Sequence, residues 1–431
     1  MTHAESSDRA AAYYRHGLRR MTGRTIDGDH RAATPLELLF DLTFVAAFGV
    51  AGSELAHGIA VGHPLAATGG FAFAMGAIIW AWINYSWFAS AFDTDDWLFR
   101  LLTMLQMTGV IVLAIGIPPM FASIDRGEPL DNGLLVAGYV VMRLAMVAQW
   151  LRAAYSDPQY RSVALTYAFF VSIAQAGWIL TAVLPLDVGW TLLAAVFLWI
   201  LELAGPVVAE VKGATHGGGG MTPWHPHHIA ERYGLLAIIA LGETVLGTLA
   251  AAQSISAAEG WTIDTVVVIG AGIALTFALW WAYFLVPSAP VLAVRRNRSF
   301  PWGYGHFFVF ASIAAVGAGL HVIGYVYDDH YEVTTLTAIL AIAIPVLIFM
   351  VSLYLLHAWL VATLPRNSVM QLATMLLPVV AVGLAAVGGP LWACLLVVLA
   401  SPVSVVLSYE LGAWRTLSAQ LDRVLARASR E

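Results

Sequence analysis

Charge is what this sequence lacks. Asp, Glu, Lys and Arg make up 11% of its 431 residues, against roughly 25% in soluble domains. A water-soluble globular fold is thereby excluded, because too few polar side chains remain to cover one. Cysteine is nearly absent. Cys394 stands in an apolar run with no second cysteine in the chain, which rules out disulfides and cysteine-based metal sites within one chain. No long polar loop interrupts the apolar runs, so no folded extramembrane domain is expected and nucleic acid is not an expected partner. A GxxxxGK[ST] phosphate loop is missing, since "HGGGGMTP" (216–223) has no lysine. An ATP-driven pump built from this chain alone is not indicated. HExxH, GxSxG and a DDxxD diphosphate motif are missing as well, and "DTDD" (93–96) reads as a solvated loop. The first 31 residues hold Arg9, Arg15, Arg19, Arg20, Arg24 and Arg31 without an apolar h-region. They read as a polar, mobile cytosolic arm rather than a signal peptide.

What is present is apolar sequence, 60% of the chain. About 20 apolar residues make a span. Twelve runs qualify: 36–57, 66–90, 98–121, 133–153, 162–184, 188–211, 228–252, 262–286, 303–324, 333–361, 369–386 and 390–411. The fold class is therefore an all-α integral membrane protein. Pro118, Pro119, Pro206, Pro345, Pro378 and Pro402 fall within or at the ends of spans and predict kinks. Basic residues orient the chain. Arg100, Arg152, Arg161, Lys212, Arg295, Arg296, Arg298 and Arg366, with the terminal arginines, fall on alternate loops. The opposite loops hold Arg126 among Asp125, Glu128, Asp131, Asp187, Glu259, Asp328, Asp329 and Glu332. Both termini are expected in the cytosol.

The chain reads as a doubled six-helix unit. Glu37 matches Glu231, "WINYSWF" (82–88) matches "WWAYFLV" (280–286), Trp150 matches Trp359, and Glu202 matches Glu410. Six spans return the chain to its starting side, so the halves would be parallel repeats with a ligand site where they meet. The expected organisation is a basic arm at 1–35, a first repeat at 36–211 and a Gly/His-rich linker at 212–227. A second repeat at 228–411 and a cytosolic tail at 412–431 complete it.

Charges inside spans need a partner, a water cavity or a helix end. The candidates for binding a substrate or ion are Asp41, Arg143, Glu202, Glu243, Glu37, Glu231, Arg232 and Glu410. Glu37 and Glu231 lie in first helical turns, where the helix dipole favours carboxylates, so a purely structural role competes with a functional one. Asp41 is one turn deeper and is the residue expected to couple protons or cations; a pair of Arg143 with Asp41 or Glu202 that merely holds helices together is the bland alternative. In "HPHHIAER" (225–232), His225 and His228 are weak metal-ligand candidates; lining a rim is the commoner use.

Two segments carry a family resemblance. "TPLELLFDLTFVAAF" (34–48) supplies Glu37, Phe40, Asp41, Phe44 and Val45 in the order E-x-x-F-D-x-x-F-V. "HHIAERYGLLAIIALGETVLG" (227–247) supplies His228, Glu231, Arg232, Tyr233, Gly234 and Leu235, then Leu241, Gly242 and Glu243. Together they resemble the bacterial low temperature requirement A family across nearly the whole chain. The resemblance implies an association with growth at low temperature but no catalytic or binding residues. The expected function is a secondary transporter in the bacterial inner membrane, moving a small solute or ion coupled to protons or cations. A cation channel and an intramembrane enzyme on a lipid-like substrate are the alternatives.

Overall fold

A computed structural model describes residues 17–25, 32–215, 220–362 and 373–428. Among the described residues there is helix and no strand. The helices are α1 (Pro35–Ala60), α2 (Pro64–Phe92), α3 (Trp97–Ile115), α4 (Ile117–Arg126), α5 (Gly133–Ser156), α6 (Arg161–Val183) and α7 (Val188–Thr215). After the linker come α8 (Pro226–Glu259), α9 (Ile263–Phe284), α10 (Ser288–Val294), α11 (Ser299–Tyr325) and α12 (Thr335–Val361). The shorter α13 (Ala373–Ala386) is followed by α14 (Leu391–Ser408) and α15 (Trp414–Ala428). Counting α3 with α4, α9 with α10, and α14 with α15, eleven of the described helices are long and apolar enough to cross a membrane, and α13 is the short twelfth.

Helix ends follow local chemistry. Thr34 caps α1 in a reciprocal box with Glu37, and Pro35 fills the first position, where its missing N–H costs nothing. Asp96 and Thr262 cap α3 and α9 through their side chains. The expected third span, 98–121, is broken at Gly116, because Pro118 and Pro119 cannot continue the α3 ladder and instead open α4. The expected eighth span, 262–286, ends at Phe284, and α10 opens after Pro287. Residues 412–428, expected as a tail, leave α14 through a π turn with Gly412 at φ 143°, and then form α15.

The core centres on α2 and α11, the most buried of the long helices. α1 packs on α2, α3, α8 and α11, while α3, α5, α6 and α7 follow one another in sequence. α8 packs tightest on α11: a Cβ at Gly247 would stand 2.1 Å from the Gly317 carbonyl oxygen. Small residues drive such close crossings where no hydrophobic effect separates helix from lipid.

Alternate loops meet at the same end of the bundle. At one end Arg24 pairs with Asp93 at 3.4 Å, Arg152 pairs with Asp96, and Arg296 donates to the Trp224 carbonyl at 3.1 Å. At the other, His63 meets Asp125 at 2.5 Å. The expectation of a mobile N-terminal arm is corrected for residues 17–25. Met21 is fully buried, the Arg19 N–H donates to Asp96 at 3.0 Å, and the Gly23 N–H donates to Asp157 at 2.8 Å. Residues 1–16 and 26–31 lie outside the described part. "DTDD" is not simply solvated either, because Asp96 is buried beneath that arm.

Asp96 yields a pH prediction. Burial pushes its carboxyl up, but hydrogen bonds from Arg152, Phe99 and Arg19 outweigh this and hold it at about 2. The unfolded value is about 3.9. The folded value is depressed, so the stability is present above about pH 4 and is lost as pH falls towards 2. In thermal unfolding of the detergent-purified protein, Asp96→Asn is expected to be less stable at neutral pH. Its deficit should close between about pH 4 and pH 2. A deficit that stays constant over that window would show that the carboxylate charge is not what stabilises this end.

Candidate functional site

Two buried ionic networks lie on different faces of α2. The sequence "WAWINYSWF" (80–88) places Trp82, Tyr85 and Ser86 on one stripe and Trp80, Ile83, Asn84 and Trp87 on another. Trp80 and Trp82 are two residues apart, about 200° around the helix.

The first network joins α1, α2 and α8. Arg232 Nη2 donates to Asp41 Oδ1 at 2.5 Å, and Arg232 Nη1 meets Glu37 Oε1 at 3.1 Å. Trp82 Nε1 donates to the same Asp41 oxygen at 2.6 Å, and Ser86 Oγ accepts from Arg232 at 3.3 Å. His228 Nε2 lies 3.1 Å from Glu37 Oε1. Glu37, Asp41, His228 and Arg232 are all wholly buried. Helical spacing explains the convergence: Glu37 and Asp41 are four apart on α1, and His228 and Arg232 are four apart on α8. Arg232 does not pair with Glu231, its neighbour in sequence, because adjacent helical residues point apart.

The second network joins α2, α5, α6 and α7 around Glu202. Trp80 Nε1 donates to Oε2 at 2.5 Å, and Arg143 Nη2 approaches Oε2 at 3.2 Å. Oε1 accepts from the Tyr139 hydroxyl at 2.9 Å, Trp178 Nε1 at 3.1 Å and Gln175 Nε2 at 3.2 Å. Arg143 also donates to the Tyr139 oxygen at 2.6 Å. Of the two pairs weighed for Arg143, the structure therefore has the one with Glu202, while Asp41 has Arg232.

Glu243 stands apart from both. It lies on the α8 face of Arg232, eleven residues or about three turns further along. The side chain is 8% exposed, and Oε1 is buried with no hydrogen-bond partner. No charged group among the described residues acts on it. It sits where α1, α8 and α11 cross. A Cβ at Gly49 would lie 3.4 Å from both carboxylate oxygens, and one at Gly317 would lie 2.6 Å from the Glu243 backbone carbonyl.

The residues matched between the two halves of the sequence have different surroundings. Glu37 is buried in a network, whereas Glu231 is half-buried and takes a 3.4 Å bond from the Ala33 N–H. Glu202 is buried and Glu410 is exposed. Trp150 is buried and Trp359 is 47% exposed. His225 and His228 are not joined by a third ligand, and no group of three His, Cys, Asp or Glu side chains among the described residues could hold a metal. His225 Nδ1 instead accepts from the His228 N–H at 3.4 Å, capping α8. His216 lies outside the described residues.

Several partners were not foreseen: Trp80, Trp82, Tyr139, Gln175, Trp178 and the buried Glu210. The sequence matches Trp82 to Trp280, yet Trp82 is fully buried and Trp280 is 46% exposed. The legible signal was polar residues at helical spacing on otherwise apolar stripes, such as Gln175 and Trp178 on α6.

Fold and networks together define a multi-pass membrane protein with two buried ionic networks inside its helical bundle. The model of the bacterial low temperature requirement A protein (LtrA) family matches residues 32–402, and the chain belongs to that family. It is 29% identical over 316 residues to an uncharacterized protein of Rhizobium meliloti (strain 1021), covering 68% of this chain and 69% of that one. No solved structure matches.

Proposed function

We propose that this chain is a secondary transporter of a small solute or ion, coupled to protons or cations, with Glu243 as the coupling group. The supporting observation is the Glu243 carboxylate itself, buried at a three-helix crossing without a hydrogen-bond partner for Oε1. An ionised carboxylate in such a place costs several kcal/mol. A proton or a bound cation removes that cost, so the charge state of Glu243 is tied to what occupies the crossing. Its position favours coupling, because α1 and α8 would be the first helices of the two six-helix units. Asp41, Glu37, Arg232 and His228 are assigned to the latch between those units, and Arg143 and Glu202 to a brace within the first. Glu231 and Glu410 serve the helix ends. The chain would sit in the inner membrane with both termini in the cytosol, in line with the alternation of basic and acidic loops.

The test uses a carbodiimide, which modifies protonated carboxyls in apolar surroundings. Purified protein is expected to be labelled at Glu243, with labelling falling as pH rises, and Glu243→Gln is expected to lose that label. In proteoliposomes screened for solutes taken up under a pH gradient, Glu243→Gln is expected to lower uptake by roughly tenfold or more. Gly49→Ala, whose methyl would touch both carboxylate oxygens, is expected to lower it less. Undiminished gradient-driven uptake in Glu243→Gln would remove Glu243 from the mechanism.

A further inference from the structure

The second stripe of α2 faces a cavity. Trp80 and Trp87 on α2, Trp150 on α5, Tyr167 on α6, Trp224 in the linker and Tyr304 on α11 line it, with Asn84 and Glu210. Its space, open mouth included, is about 520 Å³. A narrower space continues past the shared Asn84, Tyr167 and Pro206 to Glu202.

The polar groups of these rings are mostly committed elsewhere. Trp80 Nε1 donates to Glu202, Trp87 Nε1 to the Tyr233 hydroxyl at 3.0 Å, the Tyr167 hydroxyl to Glu210 at 2.8 Å, and the Tyr304 hydroxyl to the Leu203 carbonyl at 3.1 Å. Trp150 Nε1 is an exception, buried without a partner. The cavity therefore presents ring surface more than hydrogen-bond donors. No Lys, Arg or His lines it. Glu210 is buried and forms no ion pair among the described residues; it accepts from the Thr222 N–H at 2.8 Å and the Thr222 hydroxyl at 2.7 Å. Arg296, whose field reaches Glu210, donates instead to the Trp224 and Thr222 carbonyls. Its guanidinium lies 3.9 Å from the Trp224 ring centroid without itself lining the cavity, so that ring already accepts a cation.

Aromatic faces attract cations through the ring quadrupole, most strongly when water is excluded, and a carboxylate adds a charge of the right sign. An ammonium that needs no hydrogen bonds suits a wall whose donors are mostly spent. We infer that this cavity binds a quaternary or N-methylated ammonium ion. The cargo role of that ion rests on the transporter reading; the binding does not. The ammonium can come from a free solute or from a phosphocholine headgroup.

The experiment titrates choline into the full-length protein in maltoside detergent, followed by tryptophan fluorescence and calorimetry. The neutral isostere 3,3-dimethyl-1-butanol is the control. Choline is expected to bind about tenfold or more tighter than the isostere. Glu210→Gln is expected to remove most of that difference while leaving isostere binding unchanged. Equal binding of the two compounds by the unaltered protein, or no choline binding, would overturn the site even if the variant misfolds. Nanodiscs distinguish the sources. A headgroup site predicts weaker choline binding in phosphocholine than in phosphoglycerol discs, and a solute site predicts equal binding in both. Labelled-choline counterflow in proteoliposomes separates the two proposals: binding without counterflow keeps the site and removes choline as cargo, whereas Glu243-dependent uptake of another solute without choline binding removes the site alone.

Discussion

Arg232→Met is expected to destabilise the protein by about 3–5 kcal/mol, the usual cost of removing one partner from a buried ion pair. The cost has a definite source. Arg232 faces Asp41 at 2.5 Å and Glu37 at 3.1 Å, and all three are wholly buried. Without the guanidinium, Asp41 keeps the 2.6 Å bond from Trp82, and one neutral donor does not compensate a buried carboxylate. Glu37 keeps Thr34 and His228. Asp41→Asn in the Arg232→Met background is therefore expected to recover part of the loss, since it removes the stranded charge and keeps an acceptor for Trp82. Unfolding in mixed micelles, run as a double-mutant cycle, measures the coupling. Additive single effects would show that Asp41 and Arg232 do not act as a pair.

Helices were legible in this sequence and partners were not. Length and apolarity are properties of one segment, so the long helices can be read span by span. The choice of Arg232 for Asp41 depends on α1 and α8 lying side by side, and nothing within 34–48 or 225–247 encodes that neighbourhood. Arg143 looked equally available to Asp41 and Glu202. What decides is that α2 turns Trp82 towards Asp41 and Trp80 towards Glu202, a fact written in the spacing of "WAW" but readable only once the neighbours of α2 are known. Isolated polar residues misled in another way. Asp96 and the arginine-rich residues 17–25 look like solvated chain because they carry so much charge, but together they satisfy one another and close the end of the bundle. Pro118-Pro119 was read as a kink within reach of the span end, and the break falls at Gly116.

The two networks share α2, and this constrains how the proposed transporter could move. Trp80 and Trp82 each give an indole N–H to a carboxylate on a different side of one helix. Any rotation of α2 that lengthens one of these bonds disturbs the other network too. α2 is thus better suited to a fixed wall than to a rocking element.

Within the second network the two partners are expected to be unequal. Glu202→Leu should cost about 3–5 kcal/mol and Arg143→Met clearly less, although both break the same ion pair. Glu202 accepts four hydrogen bonds from neutral donors, Trp80, Tyr139, Gln175 and Trp178, besides its contact with Arg143. Removing the arginine leaves that carboxylate well solvated by protein. Removing the carboxylate strands Arg143 with the Tyr139 oxygen, and its Nε is already buried without a partner. It also strips a common acceptor from four donors, each costing about 1–3 kcal/mol if it finds no other. The double variant Arg143→Met with Glu202→Leu should be more stable than Glu202→Leu alone, because it no longer buries an unpaired cation. Mixed-micelle unfolding of the three variants decides it. An Arg143→Met cost equal to or above that of Glu202→Leu would mean that the guanidinium, not the ring of donors, is what stabilises Glu202 at this depth.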